Sequence, residues 1–154
     1  MGLSEYLALD GIVPNLHARC KREALAILAR RAAEITGVDA ETIEEALMTR
    51  EHLGSTGVGH GVAIPHGKIG DLTEITALFA QLDAPLEFDA IDDAPVDIVF
   101  MLLAPEEATA AHLKALAKAS RLLRDESVRN SLRGADTKEA IYAILTETAT
   151  SNAA

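Results

Sequence analysis

The sequence predicts an α/β (α+β) domain, a three-layer α-β-α sandwich in which helices flank a central mixed β-sheet. Three observations point there. Apolar residues recur with helical spacing towards both ends of the chain, two aliphatic and β-branched runs of strand length occupy its middle, and no internal repeat or low-complexity linker divides its 154 residues. A chain of this length, 49% apolar, can bury one sizeable core, so residues 1–154 are read as a single domain whose small, polar end, about 147–154, frays. With no Trp, two Tyr and three Phe, that core is expected to be aliphatic.

Taken in order, Ile12 to Leu16 reads as a first strand. Between Lys21 and Gly37 the residues Leu25, Leu28, Ala32 and Ile35 return every three or four positions, which predicts a helix with one buried stripe that stops at Gly37. Asp39 is placed to cap a second helix through Ile43, Ala46 and Leu47, fading near Leu53, with Glu41 well set against the dipole in its first turn. Six of the ten glycines lie between Gly54 and Gly70, broken by Val62 to Ile64, a short strand ending at Pro65. Ile75 to Leu82 and Val96 to Ala104 read as sheet strands joined by a turn-rich link containing Pro85, Asp89, Asp92 and Pro95. The last third predicts three helices. Leu113, Leu116, Ser120 and Leu123 mark the stripe of the first, Val128 and Leu132 that of a shorter second, and Ile141, Ile144 and Leu145 that of the third, with Asp136 and Glu139 resembling a capping box. This irregular order of elements fits a mixed sheet better than a doubly wound parallel one.

Acidic residues outnumber basic ones by 24 to 14, a formal charge of −10, which argues against a nucleic-acid surface and against anionic lipid headgroups. No apolar run approaches the roughly 20 residues needed to cross a bilayer. The N-terminal MGLSEYLALDGIV lacks the basic start, apolar stretch and small-residue cleavage site of an export signal, so a cytoplasmic location is expected. Cys20 is the only cysteine, which excludes an internal disulfide and suggests a buried apolar residue. Neither histidines at i, i+4 nor a Cys-x-x-Cys pair supplies metal-ligand spacing, and Walker and Rossmann glycine spacings are absent, so no metal and no cofactor is expected.

The chemistry concentrates in Arg50-Glu-His-Leu-Gly-Ser-Thr-Gly-Val-Gly-His-Gly-Val-Ala-Ile-Pro-His-Gly-Lys68. Pro65 biases Ile64 towards an extended conformation and Gly67 removes side-chain bulk after His66, which predicts an imidazole at a strand end with room for another protein to approach. A neutral imidazole is nucleophilic near neutral pH, and a phosphoimidazole stays reactive enough to donate again. Transfer also needs groups that hold the moving anion, for which Arg50, Ser55, Thr56 and the glycine-rich backbone are the local candidates.

Gly54-Ser-Thr-Gly57 followed by Gly61-Val-Ala-Ile-Pro-His-Gly67 resembles the phosphorylation-site signature of enzyme IIA of the bacterial phosphoenolpyruvate-dependent phosphotransferase system, fructose/mannitol class. The resemblance extends to Glu51 and to the segments Gln81 to Ala104 and His112 to Arg124, and is greatest for the nitrogen-regulatory type, IIA-Ntr. It implies a cytoplasmic phosphotransferase component that accepts a phosphoryl group on His66, at Nε2, from an HPr-like (NPr) phosphocarrier. Arg50, His112 and Thr56 are implied companions, and regulation of transporters, kinases or other proteins according to phosphorylation state is the implied output. The alternative is a sugar-specific IIA component donating phosphate to a IIB domain during sugar uptake. His60 stands at a variable position and receives no role; the oligomeric state is left open. Each companion also has a structural alternative: a solvated Arg50 at a helix end, Ser55 and Thr56 in local backbone turns, His112 as a helix-surface residue, and glycines that only punctuate a loop.

Overall fold

A computed structural model describes residues 3–153, with side chains from Leu3 to Glu147. After a 3-10 turn at Leu3–Glu5 the chain forms β1 (Leu7–Leu16), α1 (Lys21–Thr36), α2 (Ala40–His52), β2 (Gly57–Gly59), β3 (Val62–Ala63), β4 (His66–Ile69), β5 (Thr76–Leu86), β6 (Val96–Pro105), α3 (Thr109–Arg124), α4 (Glu126–Gly134) and α5 (Lys138–Ala153). The expected frayed tail falls on residues whose side chains lie outside the described ones.

The first two helices follow from local signals. Leu25, Leu28, Ala29 and Ala32 are fully buried on one face of α1. It ends where Gly37 adopts φ +79°, a left-handed conformation glycine takes without a Cβ penalty, and donates its N–H to Ala33 O at 2.9 Å. Asp39 caps α2 as expected, its carboxylate accepting from Thr42 N–H at 3.1 Å. Cys20 is exposed, against the expectation of burial, because it stands at the N-terminal cap of α1 ahead of the buried stripe. At α5 the cap is Thr137, whose Oγ1 accepts from Ala140 N–H at 3.1 Å, one residue later than the expected Asp136 box.

The sheet runs β1-β5-β6-β3-β2, with β4 also pairing β6. It is mixed: β5 and β6 are antiparallel, as are β2 and β3, whereas β1 runs parallel to β5 and both β3 and β4 run parallel to β6. β6 is buried on both sides, and its alternating residues divide the interior. Val99, Met101 and Leu103 join the core under α1 and α2; Ile98, Phe100 and Leu102 join the core under α3, α4 and α5. This is the expected three-layer sandwich. Among the described residues no helix is long and apolar enough to cross a membrane.

Two strands were not foreseen, β2 and β4. β3 and β4 are successive pieces of one line along β6: Val62 pairs Ile98, Ala63 pairs Val99 and His66 pairs Leu102 in unbroken register. The line is interrupted only at Ile64 and Pro65, where Pro65 has no N–H to give the ladder but its carbonyl still accepts from Leu102 N–H at 2.9 Å. β4 is therefore a strand because β6 lies beside it, not because its own residues favour one. β2 tolerates no bulk: a Cβ on Gly57 would come within 2.8 Å of Ala90 Cβ, so glycine lets the hairpin close onto the loop before β6.

Candidate functional site

His66 is the first residue of β4 and is half-buried. Its ring is fixed from both sides. Nδ1 lies 2.9 Å from Ile64 O, which can only accept, so the proton sits on Nδ1. Nε2 then carries the lone pair and accepts from Arg50 Nε–H at 3.3 Å. His66 and Arg50 together line a cleft of about 490 Å³ walled by α2, β4 and α3.

Arg50 reaches the ring from the last turn of α2, where its Nη1 also donates to Gly54 O at 2.8 Å. A guanidinium at this helix end is favoured by the dipole as well. His112, the fourth residue of α3, packs edge-on against His66 with ring centroids 5.7 Å apart. It is 5% exposed, and its buried Nε2 has no hydrogen-bond partner. Burial, helped by the nearby His66 and Lys68, holds the His112 imidazole below the ordinary histidine range and so keeps it neutral. An unpartnered polar atom at the wall of a cleft is a costly arrangement unless something fills it.

Thr56 is not brought to the cleft. It is buried, and its hydroxyl and N–H both donate to the Glu51 carboxylate. Glu51 is itself buried and paired with Lys21 Nζ at 3.0 Å; Lys21 donates further to Phe88 O at 3.3 Å, where the Ser55 hydroxyl also donates. The structure sets Thr56 beside Glu51 and away from the residues that line the cleft. Its carbonyl accepts from Ile64 N–H at 3.0 Å, and the Ile64 carbonyl in turn holds His66 Nδ1. The glycine-rich segment is likewise a hairpin rather than an anion nest, since only Gly67 among its glycines lines the cleft. Gly67 does not clear space for a visitor either: a Cβ there would rest against Ala46 of α2 at 3.6 Å, an ordinary contact. His60, exposed at the hairpin tip with φ +58°, is not part of the cleft.

Sequence reasoning missed Lys68 and the apolar rim. Lys68 follows His66 by two residues on a strand, the spacing that places both on one side, and its Nζ donates to Thr109 Oγ1 at 2.8 Å. Leu113 was expected on the buried stripe of α3, yet it is 62% exposed and borders the cleft, as does Leu53 at 82%. The buried face of α3 is His112, Ala115, Ala119, Leu122 and Leu123, the last as expected, with Leu116 partly buried against the same core. No Asp or Glu lines the cleft, although the chain has 24 of them. Among the described residues no cluster of three or more His, Cys, Asp or Glu is grouped to hold a metal ion.

A nucleophilic imidazole nitrogen, cations without carboxylate partners and an apolar rim together define a site able to receive an anionic electrophile presented by a large partner. Residues 5–148 match the family described as "Phosphoenolpyruvate-dependent sugar phosphotransferase system, EIIA 2". The chain belongs to that family. It is 49% identical over 145 residues to a nitrogen regulatory protein of Bradyrhizobium diazoefficiens, covering 94% of this chain and 95% of the relative. To a nitrogen regulatory protein of Pseudomonas aeruginosa it is 43% identical, covering 94% and 95%. The crystal structure of the nitrogen regulatory protein IIA-Ntr of Neisseria meningitidis superposes with a TM-score of 0.89 at 36% identity, covering 94% of this chain and 99% of that one.

Proposed function

We propose that this chain is a nitrogen-regulatory IIA component that takes a phosphoryl group on His66 Nε2 from an HPr-like phosphocarrier and acts on partner proteins according to whether that group is present. The observation that carries the proposal is the assigned tautomer: Nδ1–H is held by Ile64 O, which leaves Nε2, beside Arg50 on a cleft that both residues line, as the nucleophilic nitrogen. Likeness to proteins named nitrogen regulatory proteins supports the regulatory part of the reading.

In the transfer, the Nε2 lone pair attacks phosphorus, the P–N bond to the carrier's imidazole breaks, and its electron pair returns to the carrier's nitrogen. No proton changes hands when the carrier's phosphorylated ring also holds a proton on its other nitrogen: it then leaves as neutral imidazole, and His66, with its proton on Nδ1, takes over the positive ring charge. Arg50, whose Nε–H now donates to that lone pair, turns its donors to the phosphoryl oxygens as the P–N bond forms. His112 supplies a neutral ring edge whose Nε2 has no other partner, and the N-terminus of α3, which opens at Thr109 on the cleft, favours negative charge. The Glu51–Thr56–Ile64 chain acts through positioning, holding the backbone that orients the ring. Exposed Leu53 and Leu113 offer apolar area to the visiting carrier.

Once modified, His66 carries a dianion where an apolar rim had been open, and a partner that docks on the rim gains or loses affinity accordingly. Incubation with phosphoenolpyruvate, enzyme I and the carrier is expected to place acid-labile phosphate on the chain, and His66→Ala to abolish it. Label retained in His66→Ala would overturn the assignment. Efficient onward transfer to a purified IIB domain would move the reading to the sugar-specific type.

A further inference from the structure

Ion pairs tie Lys21 to Glu51, Arg19 to Glu23 and Arg133 to Asp97. The cleft beside His66 is built without any. Arg50 and Lys68 both line it, neither forms an ion pair among the described residues, and the lining contains no Asp or Glu. Two cations left unneutralised on one cleft of a chain of formal charge −10 are an electrostatic liability when the cleft is empty and an asset when a dianion enters it.

Lys68 also has a defined place. It lies two residues beyond His66 on β4, so strand alternation puts both side chains on the same side, and its ammonium is moored to the Thr109 hydroxyl in the first turn of α3. His112 lies three residues after Thr109 on that helix, so the same hydrogen bond ties the element that carries the second histidine to the strand that carries the first. A hydroxyl is a weak mooring for an ammonium. It holds the side chain at the cleft without cancelling its charge, and a phosphoryl oxygen would outcompete it.

Resting on the phosphoryl-acceptor reading of His66, we propose that Lys68, moored on Thr109, is a second cationic arm of the phosphoryl site, closing on the transferred dianion from the α3 side while Arg50 holds it from the α2 side. The flexible four-carbon stem lets the ammonium move from hydroxyl to phosphoryl oxygen by side-chain rotation alone.

The test compares Lys68→Met and Lys68→Arg with the parent chain. Each is phosphorylated from a labelled phosphohistidine carrier, and the His112 ring is titrated by NMR in the unmodified protein. Lys68 is exposed, so both variants should fold, which their thermal midpoints check. Removing a preorganised donor to a developing charge can cost 100-fold, and solvent screening of an exposed ammonium reduces this, so Lys68→Met is expected to slow uptake about 10-fold. Lys68→Arg should restore most of the rate. The His112 titration should move upward in Lys68→Met, since the ammonium is one of the groups that lower it, and stay put in Lys68→Arg. Full-rate uptake by Lys68→Met, or a loss that Lys68→Arg does not repair, would overturn the proposal. Either result leaves the acceptor reading intact as long as His66→Ala still abolishes labelling, and labelled His66→Ala would reject that reading instead.

Discussion

Arg50→Met separates the chemistry of the site from its architecture. Methionine keeps a long, unbranched, helix-compatible side chain in the last turn of α2 but removes the Nε–H that faces His66 Nε2 and the Nη1 bond to Gly54 O. A hydrogen bond to an ionised group contributes about 1.5–3 kcal/mol net, and every 1.4 kcal/mol is tenfold in rate. If Arg50 meets the phosphoryl group in the transition state, uptake should fall roughly 10- to 150-fold. Stability should change much less: one lost bond to a backbone carbonyl and one lost charge at a helix C-terminus amount to about 1–2 kcal/mol. That corresponds to a fall of about 3–6 °C in the thermal midpoint of a chain this size. The assay is the initial rate of label transfer from phosphorylated carrier at subsaturating concentration, set beside a melting curve of the same preparation. Wild-type transfer by a folded Arg50→Met would refute the reasoning, because no other guanidinium lines the cleft.

Two further predictions concern the frame. Lys21→Met leaves the Glu51 carboxylate buried beside Thr56 without its cation; breaking such a pair costs about 3 kcal/mol, or roughly 6–12 °C in midpoint, and a shift under about 2 °C would show that the pair contributes nothing. His112 gives the fold a pH dependence of fixed sign. Its native pKa is lowered, so below the ordinary value of about 6.5 the unfolded chain binds a proton that the native one refuses, and stability is lost as pH falls from there towards the native pKa. Urea unfolding of the parent chain should therefore steepen its decline below about pH 6.5 relative to His112→Gln, and parallel curves would contradict the assignment of a neutral buried imidazole.

The helices and the long strands were legible because their signals are local. The stripe Leu25, Leu28, Ala32, whose predicted fourth member Ile35 is exposed in the last turn of α1, the cap at Asp39 and the stop at Gly37 need no tertiary context, and β5 and β6 are apolar enough to be strands wherever they pack. β4 was illegible because its strand character comes from register with β6, thirty-six positions along the chain in every pair from His66–Leu102 to Ile69–Pro105. With β4 unseen, Lys68 could not be placed beside His66, and the second cation of the cleft went unnoticed. The surroundings of Thr56 were illegible for a related reason: nothing local in a hydroxyl ten residues before His66 shows that the fold binds it to Glu51. Its partner Glu51 follows Arg50 directly, so what the segment encodes is a buried brace under the cleft.

α3 shows how a functional surface misleads a periodicity argument. The strongest apolar residue of its first turn, Leu113, suggests the core face, but that face is taken by His112, Ala115 and Ala119, with Leu116 partly buried beside them. Small alanines let α3 sit close to the sheet, and a histidine on that face has to be desolvated, which no fold requires for its own sake. Burying the polar ring and exposing the leucine together invert the usual preference, and local rules are broken in this way mainly where a site needs them broken. Rotating α3 by one residue to bury Leu113 would restore the pattern and carry His112 away from His66. The exposed leucine is thus the energetic counterpart of the buried histidine. A visiting protein that covers Leu113 and Leu53 would recover apolar burial at the moment the two imidazoles are needed.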